Sequence, residues 1–330
     1  MKRLKIYVVA SFSCFLASPA LSHVKWFAPY NVAQMPLPLG WMTSLDFGIL
    51  VVTSAMALSA GVAIETSPIG RYLTEGLNRL TKPIQDQALT LIRACFGGFF
   101  VVLWALGSFI LTPELKTTSV MVGLTQIIIG ASMIWTPTLI VASAGIVALY
   151  GFATAEYGVF HMMDYPIFLG SAAYFALSAL GWQTTRTRPI DVLRVAAGIT
   201  LMWASVEKWA YPDWTVPLLA EHPDMTMGLD TSFFMKAAGM VEFALGSALL
   251  GPSLVRRISA IALAVIFTAA IAGFGKIDAI GHSPIIITLI IVAADSNPGR
   301  RWSADVVPIL FLMGLAATIG AYYGLHGLLF

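Results

Sequence analysis

Long apolar stretches recur along this chain, and they constrain its fold more than any other feature. The run "LDFGILVVTSAMALSAGVAI" at residues 45–64 carries one charge in twenty positions. Twenty helical residues rise about 30 Å, the thickness of a bilayer's hydrocarbon core. Backbone groups there have no water to bond, so they must pair within their own helix or in a closed barrel. Charged residues make up 11% of the chain, against about 25% in soluble domains. The sequence therefore predicts an all-α, polytopic transmembrane helical bundle in the lipid bilayer.

About ten spans are expected, near 45–64, 88–111, 118–134, 137–153, 165–182, 190–207, 232–250, 258–275, 283–294 and 305–328. Residues 119–153 are too long for one crossing, and "WTP" at Trp135–Pro137 breaks them into a tight hairpin. The ninth span is short and begins at Pro284.

Residues 1–22 read as a signal peptide: Lys2, Arg3 and Lys5, then the apolar "IYVVASFSCFLA", then Ala20 and Ser22 at the −3 and −1 sites. Cleavage there makes His23 the first mature residue. Residues 23–87 then form an extracytoplasmic segment, the first span and a cytoplasmic linker. The next segments are a four-helix unit at 88–182, a second at 190–294, and a last span at 305–328. Cys95 is the one cysteine left after cleavage, so an internal disulfide and a CxxC redox centre are excluded.

The mature N-terminus should be periplasmic in a bacterial inner membrane. With ten spans, Arg71, Arg79, Lys82, Arg93, Arg186, Arg188, Arg194, Arg256, Arg257, Arg300 and Arg301 fall on the cytoplasmic side, and Lys25, Lys116, Lys208, Lys236 and Lys276 on the outer side. That asymmetry obeys the positive-inside rule. His23, His161, His222, His282 and His326 all fall outside, as do Glu114, Asp164 and most other outer acids. The net charge of +2 says little about nucleic acid, but the sequence has no basic cluster of that kind, so no nucleic-acid partner is expected.

The two units resemble each other. "RACFGGFFVVLWALGSFILTP" from Arg93 parallels "RVAAGITLMWASVEKWAYP" from Arg194. "TQIIIGAS" parallels "VEFALGSA", pairing Gln126 with Glu242 and Gly130 with Gly246. "FHMMDYPIF" parallels "GHSPII", pairing His161 with His282. Each unit has an even number of spans, which predicts two parallel four-helix repeats with one flanking helix on each side.

The second unit also resembles the DoxX family of four-helix bacterial membrane proteins, through "RVAAGITLMWASVEKW", "AGMVEFALGSALL" and "FGKIDAIGHSPIII". The matching positions are Gly198, Glu207, Lys208, Gly239, Glu242 and Gly246. The family includes the small subunit of a thiosulfate:quinone oxidoreductase, so the resemblance implies a quinone-linked redox subunit or accessory, with a redox partner protein nearby. The doubled unit and the "HVKWF" start depart from the simple family pattern.

Charge within a span marks function. Glu242 is an acid with no basic neighbour in sequence. Glu207 and Lys208 end the sixth span, and Lys276, Asp278 and His282 cluster between the eighth and ninth. These residues are the candidate catalytic or binding groups. The alternative is copper handling, with a metal-delivery partner. An N-terminal His offers an amine and an imidazole, an arrangement that resembles CopC-type copper proteins and the histidine brace of copper monooxygenases. His23, His161 and His282 are the candidate ligands, with Met162, Met163, Met225 and Met227 as nearby thioethers. A small-solute transporter centred on Glu242 is the third reading.

Overall fold

The computed structural model describes residues 24–182, 188–298 and 302–330. The expected signal peptide and His23 lie outside the described residues, as do Arg186, Arg300 and Arg301. The described chain is helical, with one isolated antiparallel bridge, Phe109 to Lys116.

The α-helices are α1 (Leu45–Thr66), α2 (Pro68–Asp86), α3 (Ala88–Leu106), α4 (Val120–Ser132), α5 (Leu139–Tyr157), α6 (Val159–Met162), α7 (Pro166–Ala179), α8 (Pro189–Ala210), α9 (Val216–Glu221), α10 (Thr231–Ala248), α11 (Ser253–Ala294) and α12 (Val307–Leu329). Local chemistry sets many of the ends. Pro68 and Pro189 occupy first turns, where a missing N–H costs nothing. Ser67 caps α2 by accepting from the Gly70 N–H, and Asp230 caps α10 by accepting from Phe233. Gly107, at φ 67°, closes α3 in the left-handed conformation.

Among the described residues, six helices are long and apolar enough to cross a membrane: α1, α3, α5, α8, α11 and α12. The expected count of ten differs from this for three physical reasons. Helices α4 and α7, at 13 and 14 residues, rise only about 20 Å. Helix α10 carries Lys236 and Glu242 and is buried almost throughout. The expected eighth and ninth spans are one helix, α11, which is broken at Gly275 (φ 76°, ψ −151°), a conformation open to glycine alone.

Bonds between helix termini define two ends of the bundle. At one end, Arg93 on α3 donates to the Met133 carbonyl after α4 (2.7 Å), and Arg194 on α8 donates to the Leu249 carbonyl after α10 (2.9 Å). Arg256, near the start of α11, donates to Asp295 at its far end (3.1 Å). At the other end, Tyr157 at the foot of α5 donates to the Lys116 carbonyl before α4 (2.9 Å). There too, Tyr323 on α12 reaches the Leu37 carbonyl (2.7 Å) and Lys236 meets Asp46 of α1 (2.9 Å). We call these the arginine end and the N-terminal end. Helix α2 joins α1 to α3 across the arginine end, where Asn78 and Thr81 accept from Arg257.

Close helix contacts follow the glycines. Gly97 on α3 faces Gly130 on α4, and Gly198 on α8 faces Gly246 on α10; a Cβ on Gly198 would lie 3.0 Å from the Gly246 carbonyl oxygen. Without side chains at the crossing, backbones approach closely, as membrane helix pairs commonly do.

Candidate metal centre at the N-terminal end

The segment before α1 reaches into the bundle at its start and runs over the surface farther on. Val24–Trp26 forms a 3-10 turn, and the Lys25 side chain, 1% exposed, sits inside the bundle. Trp26 packs against Gly281, leaving no room for a Cβ there, and its ring lies 4.5 Å from that of His282. Farther along, Leu37 donates its N–H to the carbonyl of Ala210, the last residue of α8, and the Tyr211 hydroxyl donates to the Gln34 carbonyl. The segment is tied into both halves of the molecule.

Around Lys25 lies a set of buried polar groups from distant parts of the sequence. Its ammonium pairs with Asp164 and Glu207, and lies 5.6 Å and 5.4 Å from the ring centres of Tyr30 and Trp214. His161 Nε2 is 2.7 Å from Glu114 Oε1, and the Tyr165 hydroxyl donates to the same oxygen. The short turn α6 and the Pro166 start of α7 explain this placement. His161 and Asp164 lie three positions apart at that turn, and both are buried. Glu114 comes from the loop after α3, where Gln126 donates to the Phe109 and Ile110 carbonyls (2.7 and 3.0 Å) and holds the loop inward.

The charge balance is uneven. Three carboxylates, Glu114, Asp164 and Glu207, face one ammonium and one imidazole. Burial alone would lower the Lys25 pKa, but the carboxylates of Asp164, Glu207 and Glu114 outweigh it and raise the pKa, so Lys25 stays charged. Burial, followed by Glu114, pushes the Tyr30 hydroxyl up and keeps it neutral. Glu114 Oε2 and Asp164 Oδ1 are buried without a hydrogen-bond partner, an arrangement that costs free energy unless another group completes it. Glu114, His161 and Asp164 each offer a ligand atom within 4.8 Å of the others. An ion that drew these atoms together would gain one imidazole and two carboxylates.

The residues singled out in the sequence divide among several places. Glu207 and His161 belong to this cluster. Lys208, one position after Glu207 and so turned about 100° around α8, instead pairs with Glu242 at 2.7 Å. Glu242 thus has a basic partner that its own stretch of sequence does not reveal. Asp278 and His282 pair one helical turn apart (3.1 Å), and His282 stacks on Phe267. Lys276 does not join them: it is exposed, just past the Gly275 break. His161 and His282 lie against different parts of the N-terminal segment, His161 against Tyr30 and His282 against Trp26. Met225 packs in an apolar cluster with Leu218, Phe234 and Met235.

Sequence reasoning missed Lys25, Glu114, Asp164 and Tyr165 as site residues. The spacing in "HMMDY" was the available signal, because it places His161 and Asp164 on one turn. Comparison with protein-family models, with curated proteins and with solved structures finds no match for this chain.

Proposed function

We propose that the chain is a metal-binding membrane protein whose site is Glu114, His161 and Asp164. The observation that carries this reading is that Glu114 and Asp164 each keep a buried carboxylate oxygen without a partner, while ligand atoms of Glu114, His161 and Asp164 lie within 4.8 Å of one another. Two carboxylates and one imidazole suit a divalent ion of the manganese, iron or zinc type; the thioethers that would favour copper are not part of the set. Titration of the detergent-purified protein with Zn²⁺ and Mn²⁺ tests it. We expect one site per chain, lost in Glu114→Gln and in Asp164→Asn and kept in Glu242→Gln. Binding unchanged in both site variants contradicts the assignment.

The proposal includes the architecture around the site: ten crossings, two parallel four-helix repeats resembling DoxX units, and one flanking helix on each side. Several observations support it. Successive long helices run back and forth between the two ends, and α11 covers the distance twice, once on each side of Gly275. Arg93 and Arg194 occupy equivalent places in the repeat and donate to equivalent carbonyls, Met133 and Leu249. The Gly97–Gly130 and Gly198–Gly246 contacts are likewise equivalent. The placement of arginines at one end supports a cytoplasmic arginine end and a periplasmic N-terminal end. Reporter fusions after Arg257 and Asp224 test the orientation; a periplasmic signal after Arg257 would reverse it.

A further inference from the structure

We infer that Lys25 is the chain's own occupant of the cation site, and that a divalent ion binds by displacing Lys25 and loosening the turn that carries it. This inference rests on the metal assignment above and concerns the regulation of that site.

The geometry has three parts. First, Lys25 and the proposed ion use the same acid: Asp164 is both the ion pair of Lys25 and one of the three ligands. An ammonium and a divalent cation sharing one carboxylate in a buried setting repel strongly, because the low dielectric screens little. Second, the seat is shaped for a cation. Asp164 and Glu207 flank the ammonium, and the Tyr30 and Trp214 rings lie near it. Third, Lys25 stands on a 3-10 turn of only three residues, Val24–Trp26, so releasing it unwinds no long helix. Trp26 leaves with it, which uncovers Gly281 and the face of His282. Metal binding at one half of the molecule is thereby coupled to a contact in the other.

An ion entering alone would meet two cations' worth of crowding at Asp164. An ion entering as Lys25 departs restores the charge balance that the three carboxylates demand. Occupancy of the site by Lys25 and by metal is therefore reciprocal: each weakens the other by the same factor.

Two measurements on the full-length protein test the competition, both with Zn²⁺ alone as the probe. In the first, the unmodified chain is acetylated with a water-soluble active ester, and each lysine's rate is mapped by mass spectrometry. Zn²⁺ should raise the Lys25 rate by about tenfold, in line with the usual size of coupling between sites. The exposed Lys116 and Lys276 should not change. In the second, Lys25→Met should bind Zn²⁺ about tenfold more tightly than the unmodified protein. The first measurement needs no variant, so misfolding of Lys25→Met leaves the test intact. Zn²⁺ bound by the unmodified protein with Lys25 as protected as before overturns the competition and leaves the metal site standing. Failure of the unmodified protein to bind Zn²⁺, with no binding in Lys25→Met, overturns both.

Discussion

The two ends of the bundle both bury charge, and they do it in opposite ways. At the arginine end, guanidinium groups bridge the acids. Arg188 holds both oxygens of Asp295 (2.8 and 2.9 Å) and both of Asp191, Arg194 adds a bond to Asp191, and Arg256 adds one to Asp295. The hydrogen bond to Asp295 is the main reason the Arg188 pKa is raised. Three cations here meet two acids, and a planar fork can bond two carboxylates at once. In the cluster at the N-terminal end, Lys25 pairs with two acids, Asp164 and Glu207, Glu114 takes His161 and Tyr165, and two carboxylate oxygens are left over. The first arrangement is a latch that ties the start of α8 to the two ends of α11. The second has binding capacity to spare. Burial of charge is common to both, so burial does not mark the site; the surplus of acceptors over donors does.

That contrast can be broken most forcefully by removing one partner at each end. Lys25→Met leaves three carboxylates facing one imidazole, and Asp295→Ala strips Arg188 and Arg256 of their shared acid. Each should cost about 3–5 kcal/mol, the usual result of orphaning a buried charge, read as thermal unfolding in detergent. Saturating Zn²⁺ should recover most of the Lys25→Met loss and none of the Asp295→Ala loss. Recovery of both, or of neither, would erase the distinction between latch and site.

A smaller effect probes the proposed equivalence of the two units. Arg93→Ala and Arg194→Ala each remove a charged donor to a carbonyl at the end of the neighbouring helix. Losses of about 1.5–3 kcal/mol are expected for each, with Zn²⁺ affinity unchanged. A loss confined to one of them would count against the proposed repeat. The smallest effect sharpens the argument from burial. Lys82 and Asp86 form an exposed pair one turn apart on α2 (3.3 Å), and Lys82→Ala should change stability by less than about 0.5 kcal/mol. A larger loss would mean that exposed charge on this protein contributes more than the buried-versus-exposed comparison allows.

How much of this could be read in advance depended on distance along the chain. The apolar runs, the cap at Ser67, the WTP break and the grouping of the arginines are local or compositional, and the sequence shows them. The number of crossing-length helices was overestimated because hydropathy does not see where a helix actually starts. The expected spans 88–111 and 118–134 leave six residues between them, yet the irregular loop runs from 107 to 119 and carries Glu114 inward. The expected end of the eighth span at 275 coincides with the Gly275 break, but the helix resumes at once instead of after a loop. The site was legible only in halves. Glu207 and His161 stood out near span ends, but their partners come from distant segments: Lys25 for Glu207, and Glu114, 47 positions away, for His161. Adjacent residues also misled: Glu207 and Lys208 look like a pair, yet a one-residue step on a helix sends them to different partners.

The most direct measurement is the X-ray absorption spectrum of the Zn²⁺-loaded protein. The account predicts a first shell of oxygen and nitrogen at about 2.0–2.2 Å, with the multiple-scattering pattern of a single imidazole. That pattern should disappear in a His161→Ala variant that still folds and retains Zn²⁺ through Glu114 and Asp164. A sulfur shell at about 2.3 Å, or an imidazole pattern that survives the loss of His161, would place the metal elsewhere and contradict the account.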